Sequence, residues 1–592
     1  MFIHLQLCTY VFSVLFRGKC LTTAEIIEEC ERLSEDDIPD SIYILPPIQT
    51  CDETDEDSGD EDDFDPNRLN RNQLTAPAEV RFSDREDRSD DIPHDESASA
   101  FKKLKVCEWV HGDISDVESI PVPEEKCFLP PLTISEHSEA IDFLKLFLNE
   151  EIVEGLVKHT SMYSSQKNSS LLVNHDDMYA FIGILILSGY NSCPRRRMYW
   201  ENRADTENAL VKNTMRRNQF DELFRHFHAC DNLNLDANDK FAKVRPLVSK
   251  VNELFIRFAP LESFASIDES MIRYFGKHSC KQFLKGKPVR FGYKAWSLAL
   301  KSGYCLQFML YQGKDTSNGE NKKEFGLGGS VIFSFVDLLE SSYPGFKFSL
   351  FFDNFFTSSK VISQLSERGL GATGTVRENR TEKCTITSKK DMKKMERGTI
   401  DKRVEKGRNI IAVEWKDNNA VLLMSNQFGV EPLSKATRYS LKEKRKIEIP
   451  EPNIIKMYNR YMGGVDQMDN HISNYQIGMR GKKWYMPILF WTIDVCVNNA
   501  WLLSKSYGCR WDKLEFLRQA VDSLCKTHGT KRKVSGPFKK NRVSQCQKEL
   551  GRHLVVTAQP RRNCVHCKNK TVTACETCNV PLHDKCFIPF HT

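Results

Sequence analysis

The chain has 592 residues, with 84 Lys+Arg against 80 Asp+Glu and a formal charge of only +4. Residues 1–100 hold 26 acids and 8 bases, a net of −18, which leaves +22 on the remaining 492; a strongly acidic leader on a basic body points to a polyanion partner. Forty per cent apolar residues over this length supplies about two or three cores and excludes a wholly disordered, collagenous, small disulfide-rich or multispan membrane protein.

The apolar opening Met1–Phe16 lacks a positive n-region and Arg17 follows the apolar run, so it does not read as a secretory signal. Residues 20–100, with the acidic cluster Asp52–Asp65, carry too few apolar side chains to offset the entropy of ordering and are expected to be disordered. From about 136 the pattern turns helical. Ile141, Leu144, Leu148, Ile152 and Leu156 lay one apolar stripe. The run Tyr179–Tyr190 is too short for a bilayer and reads as a buried helix, and Phe220–Phe227 and Val248–Phe258 continue the helical texture. Between them, Pro194–Trp200 sets Arg195, Arg196 and Arg197 beside aromatics, which suits either phosphate contact or a surface turn paired to local acids.

At about 263 strands take over. Phe264–Arg273, Tyr293–Leu300, Tyr304–Tyr311, Phe346–Phe352 and Gly369–Val376 read as strands, with Lys301-Ser302-Gly303 as a turn and Thr357–Glu367 as a helix. This is an α/β core. Residues 379–450 look like an insertion carrying a hairpin, Ile410–Trp415 and Ala420–Ser425. Met457–Trp501 is helical again, and 526–545 is a basic linker.

Three acidic spots sit at element ends or within the first strand. Asp268 lies in Ser266–Ser270, Asp353 is flanked by Phe-Phe pairs, and Asp466 and Asp469 share one face at a helix start. A carboxylate between aromatic pairs is costly to bury unless it is paired or binds a metal. Each alone is as well read as a cap or a turn acid. Together they can hold two hard cations, about 3.5–4 Å apart, for phosphodiester displacement.

The blocks SIDESM, KGKPVRFGYK, FFDNFFTS, ATGTVRENR, YMGGVDQMD and RGKKWYMP, in this order, resemble the piggyBac transposase family, with the nearest likeness to its domesticated transposable element-derived proteins. The likeness covers about 130–592. It implies an RNase H-like catalytic core, a DDE/D site and metal-dependent cut-and-paste DNA transposition at TTAA targets. By motif the catalytic triad is Asp268, Asp353 and Asp466, holding two Mg²⁺ ions, with Asp469 as an accessory carboxylate. The resemblance further implies double-stranded DNA with transposon terminal repeats as partner, a homodimer, a nuclear location and no membrane.

Two basic segments accompany the acids. Lys285, Lys287 and Arg290 follow the first catalytic strand, and Arg480, Lys482 and Lys483 with Trp484 and Tyr485 follow the last acid. In the family reading they contact DNA, with Trp484 stacking or packing; the alternative is solvated charge over a packed Trp. Lys531-Arg532-Lys533 suits a nuclear signal.

The tail reads Cys564-x2-Cys567-x7-Cys575-x2-Cys578-x4-His583-x2-Cys586-x4-His591, a spacing that points to Zn²⁺, one ion or two. A cross-brace assigns Cys564, Cys567, His583 and Cys586 to one ion and Cys575, Cys578 and His591 to the other. An eighth ligand is missing from this spacing, and His566 is the available substitute.

The expected organisation is an acidic disordered region 1–128, a helical DNA-binding and dimerisation part 129–262, core 263–378, insertion 379–451, core 452–475, helical part 476–525, basic linker 526–559 and zinc module 560–592. Two rivals stand beside a transposase: a DNA- or chromatin-binding protein that keeps the fold without chemistry, and a zinc-dependent ubiquitin ligase suggested by the tail alone.

Overall fold

Capped N-termini and helical apolar spacing build the first part of the described chain. Asp142 closes a capping box with Glu139 at the start of α1 (Ala140–Phe147), and Asn149 Oδ1 accepts the Ile152 N–H at the start of α2 (Glu150–Gln166). Asn174 caps α3 (His175–Tyr190), whose residues from Asp177 to Ser188 are buried, as the apolar run Tyr179–Tyr190 predicts. α4 (Arg217–His226) and α5 (Arg245–Arg257) follow. The structure, a computed structural model, describes residues 41–44, 78–81, 108–529 and 553–591, except 170, 277, 285–288, 314–318, 441–442 and 577–579. Residues 1–530 and 531–592 are two separate compact units.

The sheet of the first unit begins with three antiparallel strands, β1 (Phe264–Arg273), β2 (Phe291–Leu300) and β3 (Cys305–Leu310). Gly303 turns the β2–β3 connection at φ +88°, a conformation glycine adopts without a Cβ penalty. Helix α6 (Gly319–Ser342), interrupted at Gly326, returns the chain so that β4 (Ser349–Phe352) pairs with β1 in parallel. After α7 (Ser359–Glu367), β5 (Gly371–Thr375) pairs with β4 in parallel. The strand order is β3-β2-β1-β4-β5.

The segment expected as an insertion is part of this same sheet. β6 (Ile400–Glu405), β7 (Ile410–Lys416) and β8 (Ala420–Ser425) are antiparallel, and β8 pairs with β5. The buried Asn426 fastens the junction, accepting the Ala372 N–H at 2.7 Å and donating to the Leu370 carbonyl at 2.9 Å. Of the described strands in this segment, β9 (Ser434–Ser440) and β10 (Arg445–Glu451) stand apart from the main sheet as their own hairpin.

Most of residues 1–128, expected to be disordered, lie outside the described residues, and the described stretches pair with other strands. Ser41–Ile44 pairs with Ala78–Arg81 and with Gln282–Phe283 at one sheet edge. At the opposite edge Trp109–Val110 pairs with β6, while Cys127–Phe128 pairs with Leu261–Glu262 as a separate two-stranded sheet. Asp113 supplies the physical reason. Its buried carboxylate accepts the Val430 and Ile114 N–H groups and a 2.9 Å bond from Lys402 Nζ, so residues near 113 are fastened to the sheet.

Helices α8 (Asn453–Tyr461) and α9 (Gly464–Ser473) lie over the sheet, and α10 (Met486–Ser506) and α11 (Lys513–His528) complete the helical part, packing on α1 and α3 respectively. α10 is long and apolar enough to cross a membrane, but 94% of that window is buried inside the protein, as a core helix is. In the second unit β11 (Val555–Asn563), β12 (Lys570–Cys575) and β13 (Val580–Pro581) precede α12 (Asp584–His591), around a small core of Cys564, Cys575, Val580, Leu582 and Cys586.

Candidate carboxylate centre and metal-ligand clusters

Strand alternation decides which acids can meet. On β1 the residues Phe264, Ser266, Asp268 and Ser270 share one face. The β1–β4 register pairs Ser266 with Phe351 and Ile267 with Phe352, so Asp353, one step beyond β4, falls beside Asp268 on that face. Helix α9 covers it. The Val465 N–H donates to Ser266 Oγ at 3.2 Å, and Gly464 sits so close that an added Cβ would lie 2.5 Å from the Leu300 carbonyl oxygen. That close approach brings Asp466, in the first turn of α9, to the same face.

Tyr458 of α8 lies within the electrostatic reach of the same acids. Burial pushes its phenol well above the ordinary range, and the charges of Asp353, Asp268 and Asp466 push it further, against a hydrogen bond with the Thr375 side chain. One hydroxyl therefore feels Asp268, Asp353 and Asp466, three of the four acids that the sequence singles out. Asp268 is 8% exposed and its Oδ1 accepts the Glu269 N–H at 2.7 Å. Asp353 Oδ1 accepts the Phe355 N–H at 2.9 Å, and its backbone carbonyl takes the Thr357 hydroxyl at 2.7 Å. These bonds fix the carboxylate directions. Asp469 is half-buried and lies toward the buried Cys305, whose thiol is raised chiefly by burial and then by Asp469. Tyr458 itself is absent from the sequence-level candidates, because a Tyr in an amphipathic helix carries no signal of what it faces.

A carboxylate set from two strands and one helix offers hard oxygen donors, which suits Mg²⁺ rather than a soft metal. Among the described residues, the groups of three or more ligands whose atoms all lie within 4.8 Å of one another are both in the tail; the aspartates do not form such a set.

The basic segments divide. Lys285 and Lys287 lie outside the described residues, and Arg290 is exposed. Arg480 and Lys482 are exposed, whereas Lys483 Nζ donates to the Arg225 carbonyl at 2.7 Å and to Tyr163 Oη at 3.2 Å. Trp484 packs on His278, ring centroids 4.3 Å apart, with Phe241 at 6.2 Å. Of the two roles open to Trp484, the structure displays packing. Arg196 and Arg197 both meet Asp221, the turn-with-local-acid arrangement.

In the tail, Cys564, Cys567, His583 and Cys586 come together as the cross-brace spacing predicts. His583 Nε2 lies 3.1 Å from the Lys570 carbonyl, which leaves Nδ1, 3.3 Å from Cys567 Sγ, for an ion. Burial opposes the Cys564 thiolate, but N–H groups of Cys567, His583 and His566 and the His583 ring outweigh it and bring the thiol down to about 6. The second set is His553, Cys575 and His591. Its His553 Nδ1 lies 3.3 Å from Cys575 Sγ, while His591 Nδ1 is 2.7 Å from the Phe587 carbonyl, which presents His591 Nε2 to an ion. Cys578 lies outside the described residues. His566, the substitute offered by spacing, belongs to neither set; His553 takes that place because the β11–β12 pairing returns the chain before Cys564 to the side of Cys575.

A family profile described as Transposase IS4 matches residues 139–501. The human PiggyBac transposable element-derived protein 3 is 38% identical over 97% of this chain and 100% of its own length. This chain belongs to the piggyBac transposase family. The human PiggyBac transposable element-derived protein 2 is 35% identical over 96% of both chains. The fold matches the piggyBac transposase solved by cryo-electron microscopy as a synaptic complex with hairpin DNA, at a TM-score of 0.57 and 21% identity, covering 78% of this chain and all of that one. Within the piggyBac family frame, Asp268, Asp353, Asp466 and Asp469 stand in the motif blocks that carry the resemblance.

Proposed function

We propose that this chain is a DNA transposase or a domesticated derivative of one that cuts and rejoins DNA strands at TTAA targets, using divalent metal at Asp268, Asp353 and Asp466. The observation that carries this reading is the β1–β4 register that sets Asp353 beside Asp268, with the Asp466-bearing helix bonded to the same face through Ser266. The strand order β3-β2-β1-β4-β5, three antiparallel strands followed by two parallel ones, supports an RNase H-like core. Family membership supports the same chemistry.

Two Mg²⁺ ions would supply Lewis acidity at the attacking and leaving oxygens of a phosphodiester. The protein's part is to hold the acids. Asp268 and Asp353 are aligned by strand register and backbone N–H bonds, and Asp466 is delivered by the α9–β1 contact. Asp469, one helical turn on, serves as an accessory carboxylate. Arg290, Arg480 and Lys482, with Lys285 and Lys287, would contact phosphates of double-stranded DNA, including the terminal repeats. The tail sets would hold Zn²⁺, Cys564, Cys567, His583 and Cys586 for one ion and His553, Cys575, Cys578 and His591 for the other. Homodimerisation and a nuclear location belong to the same reading.

The test is Mg²⁺-dependent nicking of terminal-repeat DNA by the purified full chain, with Asp353→Asn as control. Cleavage by wild type alone is expected. Equal silence of both on matched ends would overturn the enzyme reading and leave a DNA-binding protein that retains the fold.

A further inference from the structure

Two of the three acids are aimed by residues that follow them in the chain. Asp268 Oδ1 accepts the N–H of Glu269 at 2.7 Å, and Asp353 Oδ1 accepts the N–H of Phe355 at 2.9 Å. Whatever holds Glu269 and Phe355 therefore sets the direction of both carboxylates. Their side chains meet at one buried cation, Lys294.

Strand alternation brings them together. The β1–β2 register pairs Glu269 with Trp296 and Met271 with Lys294, so Glu269, Trp296 and Lys294 share the face opposite Asp268. Lys294 Nζ lies 2.8 Å from Glu269 Oε2, and the two side chains are only 9% and 17% exposed. The same Nζ lies 3.9 Å from the Trp296 ring centroid and 5.1 Å from that of Phe355, within cation–π range of both. Phe355 in turn stacks on Trp296, with centroids 5.2 Å apart and planes at 19°. Its carbonyl accepts from Arg380 Nη1 at 2.7 Å, and a Cβ added at Gly328 would lie 2.4 Å from that oxygen. Phe355 has little room to move.

A charge pair this buried is weakly screened by salt. It is also costly to desolvate, and an apolar side chain would pack on Trp296 without that cost. What an apolar side chain cannot do is draw a carboxylate and a ring face toward one point. We propose that Lys294 is a positioning residue for the carboxylate centre. Its ammonium grips Glu269 by an ion pair and Phe355 through the ring, and so holds the two N–H groups that orient Asp268 and Asp353. This rests on the reading that those aspartates hold divalent metal, and it adds a residue on the far face of the strand.

The experiment is Mn²⁺ titration of the full chain followed by electron paramagnetic resonance, with Asp353→Asn as reference. Removing Lys294 alone would strand a buried charge, so Lys294→Met is combined with Glu269→Gln. This double variant should melt close to wild type yet bind Mn²⁺ about tenfold more weakly, the lower end of what outer-shell partners contribute. Phe355→Leu removes the ring without stranding a charge and should weaken Mn²⁺ binding in the same direction. Lys294→Arg keeps a cation beside the carboxylate and the rings and should recover most of the affinity. Without metal, amide exchange over residues 268–270 and 353–357 should accelerate in the double variant and in Phe355→Leu. Wild-type Mn²⁺ affinity in these two variants overturns the proposal, as does a folded Lys294→Arg that binds as weakly as the double variant. If wild type and Asp353→Asn bind Mn²⁺ alike, the metal reading fails, and amide exchange alone decides the grip: unchanged exchange at both segments overturns it.

Discussion

The Val465 N–H donates to Ser266 Oγ at 3.2 Å, joining the helix that carries Asp466 to the strand that carries Asp268. Ser266 is fully buried, so this bond and the 3.5 Å bond from its hydroxyl to the Ala299 carbonyl have no water to replace them. Ser266→Ala should cost about 1–3 kcal/mol, since it leaves the Val465 donor unsatisfied. Gly464→Ala should be worse, because its Cβ would meet the Leu300 carbonyl at 2.5 Å and Ser266 Oγ at 2.6 Å. Denaturant melts should show this order, and Mn²⁺ titration should show weaker binding at the acids in both variants. Equal stability of Gly464→Ala and wild type would mean α9 does not sit this close.

Lys513 anchors the other end of the acid-bearing helix. Its Nζ donates to the His471 carbonyl in the last turn of α9, where a cation complements the helix dipole. Burial brings the Lys513 amine down to about 7, with Asp494 opposing, while Asp494 is raised by its own burial despite the Ile477 N–H and Lys513. The other groups around Lys513 are the Trp501 ring, 5.9 Å away, and the His471 side chain, depressed by burial and then by Lys513 and Lys505. Between about pH 7 and the ordinary lysine value of 10.5, the unfolded chain binds a proton that the folded chain releases. Stability from this group therefore rises with pH across that window. Wild type minus Lys513→Met should show this rise in melting temperature from pH 7 to 9; a flat difference would count against it.

Much of the sheet was legible because its strands carry their own pattern. Phe264–Arg273 is β1 residue for residue, and the hairpin around Asp417–Asn419 stands where the apolar runs place it. The candidate acids stand out in the sequence for another reason: at a strand end and a helix start they are marked by their aromatic and glycine neighbours. Helix α6 escaped notice because Gly326 breaks it and its first turn holds charged residues without an apolar repeat. Asp113, His553 and Tyr458 were illegible because each acts through partners distant in sequence, such as Val430 and Lys402 for Asp113. The fate of Trp484 was left open by sequence for the same reason, since His278 and Phe241 decide it.

Asp113 should prove a stability determinant despite lying in the region expected to be disordered. Burial works to raise its carboxyl, and the bonds from Lys402, Val430 and Ile114 outweigh it and hold it below the usual range. Its contribution is therefore present above the ordinary carboxylate value of 3.8 and lost as the pH falls below it. Asp113→Ala leaves Lys402 and the Val430 N–H without their acceptor, which should cost about 3 kcal/mol. Hydrogen exchange should then accelerate at Val404 and Glu405, where Trp109–Val110 pairs with β6. Unchanged exchange there would show that the 108–128 segment is held by other contacts.

His553 supplies the most specific expectation for the tail. With Cys575 and His591 it forms one of two ligand sets, and its Nδ1 is 3.3 Å from Cys575 Sγ. A unit of this size has little apolar core, so metal binding and folding should be one event. Native mass spectrometry of the full chain should find two Zn²⁺ ions in wild type and one in His553→Ala, while His566→Ala should retain two. Cys564→Ser removes a thiolate from the other set, and Cys567, His583 and Cys586 would be left a ligand short. Chelation should collapse the near-ultraviolet signal of residues 553–591 while the melting of the larger unit stays in place, because the two units are separately compact. Two ions retained in His553→Ala would return the eighth ligand to another residue.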